Sequence, residues 1–341
     1  MKLKRIKCTQ LTRAKGFCVS QSYIVGCTGT KAVVLDRQLN HVQTVEKLSY
    51  VYAADVSPDE SKMLLISNLN RFYIVDLQTF AVNCVTVKAP YNHNLEGIGC
   101  WSFEGESVWL PVQRWTDAVI STLRRYQTDD LTKFEDYLPD TFVLDHISRI
   151  EKDKIYFLTG YSRKDNHRRY FLYFDGVRFR EYPLEVPDTM LLSSCVVDSE
   201  NGVITLASFT DGCRRFSMEG KLLDSVTHPN TQEKTISFSD AFTNLFADNS
   251  DGMQKVRDMS AKRGFENVSV RDDIAKYERS SCGKYIYLAS KSGLHLLDAK
   301  TGAVLAFVPE EFGVQNVAEL NPGVIAIATW SGVKIYEVRD S

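Results

Sequence analysis

Asp145 and His146 stand side by side, and a carboxylate next to an imidazole is the least that general acid–base chemistry needs. The same pairing is common on surface loops that do nothing catalytic. Its meaning depends on what else converges there, and the other histidines, at 41, 93, 167, 228 and 295, are scattered along the chain. His295 lies in an apolar run and is expected to be a structurally satisfied residue. None of the histidines forms His-Glu-x-x-His, and Gly-x-Ser-x-Gly and Gly-x-Gly-x-x-Gly are both absent. Gly26-Cys-Thr-Gly-Thr-Lys31 has the composition of a phosphate cradle without its spacing, and it joins two strand-like runs, so it reads as a hairpin turn.

A second set of residues is equipped for binding. Arg71, His93, Arg114, Trp115, Tyr161, Arg163, Arg168, Arg169 and Trp330, together with Asp145 and His146, fall in or beside segments that read as loops. Arginine offers planar bidentate donors to carboxylate or phosphate, and Trp and Tyr supply rigid apolar contact area. A protein or peptide partner, or a small anionic ligand, suits that combination. The plainer reading is a solvated basic loop at 163–169 and tryptophans packed inside the fold.

Composition narrows the field. The 41 basic and 43 acidic residues nearly cancel, so no global field draws the chain onto nucleic acid or a membrane surface. The basic start Met1-Lys-Leu-Lys-Arg-Ile-Lys7 is followed by no apolar stretch of signal-peptide length. The eight cysteines include no Cys-x-x-Cys, and they are expected to be reduced, mostly buried small hydrophobes with no metal role.

Positioning such residues falls to a repeat. Arg71-Phe-Tyr-Ile-Val-Asp76, an apolar run ending at a polar turn, has counterparts beginning at 31, 123, 171, 213, 293 and 332. Each is preceded by a second strand-like run, as Lys62-Met-Leu-Leu-Ile-Ser67 precedes the first. Their near-continuous apolarity suits strands covered on both faces. A period of ~40–45 residues with four short strands per unit predicts a β-propeller of seven blades, all-β, in one domain spanning 1–341. Only three strands fit in the last unit, so Lys2–Cys8 is expected to supply its outer strand and close the ring.

The long gap before the sixth unit holds residues 229–273, which show no strand pair like those of the blades. Ser239 as an N-cap with Phe242, Leu245 and Phe246, and a second run from Asp251 to Gly264, predict a helical insertion between blades five and six in place of a degenerate eighth blade.

Ser57-Pro-Asp59 followed by Leu64-Leu-Ile-Ser-Asn68 and Ile74-Val-Asp76, and in the sixth unit Ser281-Cys-Gly-Lys with Asp298-Ala-Lys-Thr-Gly302, resemble the YVTN-type repeat of the WD40-like seven-bladed propellers. The Gly-His and Trp-Asp dipeptides of true WD40 blades are missing. Where the sixth unit has Gly302 the second has Phe80, so that turn is expected to take a different shape. The resemblance implies a fold that hosts many activities.

The functional expectation is a monomeric, cytoplasmic, non-enzymatic platform without a cofactor. It binds a protein or peptide on the loop-rich face around the channel mouth, and neither nucleic acid nor membrane. Its rival is an enzyme similar to the propeller lactonases of the YVTN-like group, acting on a small anionic sugar-derived substrate. A periplasmic cofactor-bearing propeller comes third, since it would need the export signal this sequence lacks.

Overall fold

The structure is a computed structural model, and it describes residues 1–9, 16–67, 69–87, 93–94, 99–115, 119–137, 142–165, 168–185, 192–199, 201–208, 212–226, 234–237, 267–270, 274–310, 313–329 and 331–339. Blade 2 shows how one unit is made. Val51–Val56, Lys62–Ser67, Arg71–Asp76 and Val82–Thr86 form a four-stranded antiparallel sheet in sequence order. The turns between them are closed by their own side chains. Ser57 Oγ accepts from the Lys62 amide at 2.9 Å, and Asp76 Oδ1 accepts from the amides of Gln78 and Thr79 at 3.0 and 2.7 Å.

Seven such sheets follow one another along the chain. The first strands of blades 1 and 2, 2 and 3, 3 and 4, 5 and 6, 6 and 7, and 7 and 1 touch, so the sheets ring a central channel. These innermost strands are Gly16–Val19, Val51–Val56, Phe142–Ile150, Leu192–Asp198, Ile274–Arg279 and Val314–Asn321. In blade 3 two short pieces, His93–Asn94 and Cys100–Trp101, both pair with Ser107–Trp115. Lys2–Cys8 pairs with Gly332–Arg339 and is the outer strand of blade 7, as the count of strands requires. The molecule is a seven-bladed β-propeller, and its architecture is consistent with the WD40-like resemblance.

Apolar burial follows the ring. Met63 and Leu65 of one strand pack toward blade 1, while Leu64 and Ile66 pack toward blade 3. Both faces are covered, which is why these strands read as continuous apolar runs. Every one of the seven blade boundaries holds a buried cluster, including the boundary between blades 7 and 1, where Ile24 and Leu35 meet Ala326 and Ile335.

Three expectations need correcting or limiting. The turn at Phe80 keeps the shape of the one at Gly302: φ is +57° and +71°, and both amides donate at 2.8 Å to the carbonyl of the aspartate four residues earlier. Contact of the Phe80 ring with the core between blades 1 and 2 holds a non-glycine residue in the left-handed region. Segment 229–273 does contain a strand pair, Lys234–Ser237 with Asn267–Val270, which a repeat search overlooks because the two strands are far apart in sequence. The helices expected between Ser239 and Gly264 lie outside the described residues. No helix among the described residues is long and apolar enough to cross a membrane.

The cysteines divide unevenly. All eight are free, but only Cys27, Cys100 and Cys213 are buried, while Cys8, Cys84 and Cys282 are exposed. Two of those exposed lie on outer strands, where one sheet face has no neighbour to cover it.

Candidate functional site: a loop-rich face above a charged lumen

Because the strands of each blade alternate in direction, the connections from second to third strand and from blade to blade emerge on one face. Arg71 begins the third strand of blade 2 there and is exposed. In blade 3, His93 lies in register opposite Arg114, and Trp115 ends the same strand. Asp145 and His146 lie in the innermost strand of blade 4, near its mouth end. Trp330 lies outside the described residues.

The basic loop of blade 4 is partly tied down. Arg169 is only 7% exposed, with its guanidinium 6.0 Å from the Tyr161 ring centroid. Arg168 Nε donates to the Leu184 carbonyl at 3.4 Å, and Tyr170 Oη donates to Asp165 at 2.6 Å. Arg163 is half-buried, and Lys164 is exposed at the tip. His295 is buried, with Nε2 at 3.1 and 3.2 Å from the hydroxyls of Ser290 and Ser292, so it is structurally satisfied.

Below the mouth, one register recurs around the ring. Ala53 pairs with Ile66, His146 with Thr159, Ser194 with Ala207, Lys276 with Ala289 and Asn316 with Ala328, each directly after a break in the pairing. Bulges of this kind re-aim side chains at the rims of closed sheets. Two residues deeper, Asp55, Ser148 and Glu278 occupy equivalent positions in blades 2, 4 and 6. Lys276 and Glu278 each keep 28% of their side-chain exposure although blades surround them, because that exposure is to the lumen. The residues between, Ile147 and Tyr277, are buried in the cores between blades.

These groups feel one another across the channel. Burial, reinforced by the charge of Lys276, pushes the His146 imidazole down to about 4, so the ring is neutral at neutral pH. Burial pushes the Asp55 carboxyl up, against the pull of Arg149 and of the Trp101 amide. Burial also pushes Glu278 up, with Lys276 opposing. Burial, then the charge of Asp55, drives the Cys18 thiol up to about 12, while Lys276 and Arg149 pull it back. Three other blades thus act on one thiol.

Charged residues of the innermost strands also hold strands and blades. Asp55 accepts from the Trp101 amide of blade 3 at 3.0 Å, and Arg279 pairs with Asp198 of blade 5 at 2.6 Å. Glu319 of blade 7 accepts from Tyr287 Oη and the Ser281 amide of blade 6 at 2.8 and 2.5 Å. Lys276 lies 3.6 Å from Glu278, and Arg149 lies 3.1 Å from Glu151. Two cavities open on the opposite face, one of about 160 Å³ beside Ile150, Tyr173 and Met218, the other of about 460 Å³ beside Lys284, Asp298 and Leu305.

Of the lumen set, sequence reasoning named only His146. The signal is nonetheless present: His146-Ile-Ser148 and Lys276-Tyr-Glu278 put polar groups two apart in innermost strands, with an apolar residue between them. A strand packed on both faces accommodates that alternation only where one row borders an open channel. No family model matches the chain, and no curated protein matches it.

Proposed function

We propose that this propeller is a non-enzymatic interaction platform that engages a protein or peptide partner with the loop-rich face around the channel mouth. The observation that carries the reading is the use of charge on the innermost strands. Asp55, Arg279 and Glu319 bond to neighbouring blades, and Lys276 and Arg149 face carboxylates of their own blades. Groups held in this way serve as clamps, whereas acid–base or nucleophilic catalysis needs a nucleophile and a base within hydrogen-bond reach at an open position. The exposed cations, by contrast, sit on loops, where binding residues concentrate. Eight free cysteines support a reducing compartment, and with the YVTN-like turns they favour a WD40-like scaffold working in the cytoplasm.

The test is affinity capture from native lysate with three versions of the full chain. One is unaltered, one carries Arg71→Glu with Arg163→Glu on the loop face, and one carries Lys152→Glu with Lys300→Glu on the opposite face. Partners recovered by the first and third but lost from the second support the reading. Equal recovery from all three counts against it. Hydrolysis of a panel of sugar lactones that disappears in His146→Gln or Glu278→Gln establishes the rival enzyme.

A further inference from the structure

The connection from blade 1 to blade 2 carries backbone strain at residues other than glycine. Lys47 and Tyr50 have φ of +60° and +49°, and Asn70, in the neighbouring loop of blade 2, has +55°. A left-handed conformation is uncommon for any residue with a side chain and an outlier for an aromatic one. Such strain persists where the surroundings over-determine it, and it concentrates at binding sites and switches.

The surroundings here are unusually directive. The Leu48 amide donates to the Thr30 carbonyl at 3.0 Å and the Val51 amide to the Gly29 carbonyl at 2.7 Å, tying the connection to blade 1. The Ser49 amide donates to Tyr73 Oη at 3.1 Å, and Ser67 Oγ donates to the Ser49 carbonyl, tying it to blade 2. Ser67 Oγ in turn accepts from the Leu69 amide at 3.1 Å. One buried hydroxyl therefore joins the residue before Tyr50 to Leu69.

The result is an apolar pair held out into solvent. Leu48 is buried in the core between blades 1 and 2 at 5% exposure, while Tyr50 is 62% and Leu69 48% exposed. Two cations border the pair, Lys47 beside Tyr50 and Arg71 beside Leu69, both exposed, and neither side chain is ion-paired with a described residue. The nearest acid in sequence, Glu46, is already held by Lys31 at 2.8 Å. Tyrosine and arginine at the centre of a pre-ordered patch are the residue types that dominate binding energy at interfaces.

We propose that Tyr50 and Leu69, flanked by Lys47 and Arg71, form the docking point for an acidic peptide segment that carries an apolar side chain. The apolar pair takes the side chain, and the two cations read the acidic flanks and steer their approach. This rests on the platform reading and adds to it a position, the boundary of blades 1 and 2, and a partner chemistry.

The test selects displayed random dodecapeptides on the full chain and measures the winners by fluorescence anisotropy against variants. Enriched peptides are expected to be net acidic with a Leu, Phe or Trp. Their affinity should fall about tenfold with Tyr50→Asn or Leu69→Ser, and at least as much with Lys47→Glu and Arg71→Glu together. Raising salt from 0.1 to 1 M should weaken them further, as the screening length falls from about 10 to 3 Å. Asparagine tolerates left-handed φ better than tyrosine, so Tyr50→Asn should lose binding while its unfolding midpoint holds or rises, a split that a purely structural Tyr50 would not give.

Enriched peptides that are neutral or basic overturn the partner class. Acidic peptides that ignore all four positions but weaken with Arg163→Glu overturn the docking point and leave the platform standing. No enrichment on the full chain removes both.

Discussion

At the scale of single residues, the lumen makes His146 a test of whether the ring is intact. An imidazole held down at about 4 is neutral when folded but takes a proton in the unfolded chain near pH 6.5, so the unfolded state binds more protons between those values. Stability from His146 is complete above pH 6.5 and is lost as pH falls toward 4, by up to about 3 kcal/mol. Asp55 and Glu278 act in the opposite sense, since burial raises their folded pKa and acid favours the folded state as they protonate. The difference between the unaltered chain and His146→Gln isolates the histidine. Urea unfolding from pH 7 to 4.5 should show a steeper loss in the unaltered chain, and parallel curves would mean that His146 is open to solvent. Sequence placed this residue beside a channel mouth. It could not reveal the lysine two blades away that, with burial, keeps the ring neutral.

At the scale of elements, the strands were legible and the reasons are local. Lys62–Ser67 is apolar at every position between its first and last residues because it is sandwiched, and Asp76 and Asp298 end their strands by accepting from the amides two and three residues on. Legibility failed at Phe80, where a local rule about φ met a tertiary contact. That conflict makes a prediction. Phe80→Ala keeps the left-handed cost and loses the packing, whereas Phe80→Gly loses the same packing but removes a cost of roughly 1 kcal/mol. Chemical denaturation should therefore find the glycine variant the more stable of the two by about that amount, and the reverse order would show that the turn relaxes out of its left-handed shape. The lumen and the strained loop at Tyr50 were less legible for a related reason. Both depend on which residues of different blades end up adjacent, and repeat spacing carries no such information.

At the scale of the whole molecule, the ring is shut by one pair of strands. Lys2–Cys8 lies antiparallel to Gly332–Arg339, and the Thr9 amide donates to the Val333 carbonyl at 2.8 Å. Gly332 sits at φ +145°, where a Cβ would collide with the Thr9 carbonyl oxygen. Gly332→Val should therefore pry the seam, and removal of residues 1–9 should bare the edge of Gly332–Arg339 and leave blade 7 with three strands. The expected outcome is a lower melting temperature and concentration-dependent association on size-exclusion chromatography, most severe in the truncated chain. A truncated chain that stays monomeric and melts at the same temperature would show that the seven apolar boundaries hold the ring without the seam.

The seam also sets a schedule. Its two halves are 324 residues apart in the chain, and a ribosome adding 5–20 residues per second emits the second roughly 16–65 s after the first. Throughout that interval Lys2–Cys8, four of whose seven residues are Lys or Arg, lacks its neighbour. An early strand rich in lysine and arginine is a poor template for pairing with other nascent chains. Its basic residues therefore disfavour wrong pairing of the first piece of the ring before the last piece arrives.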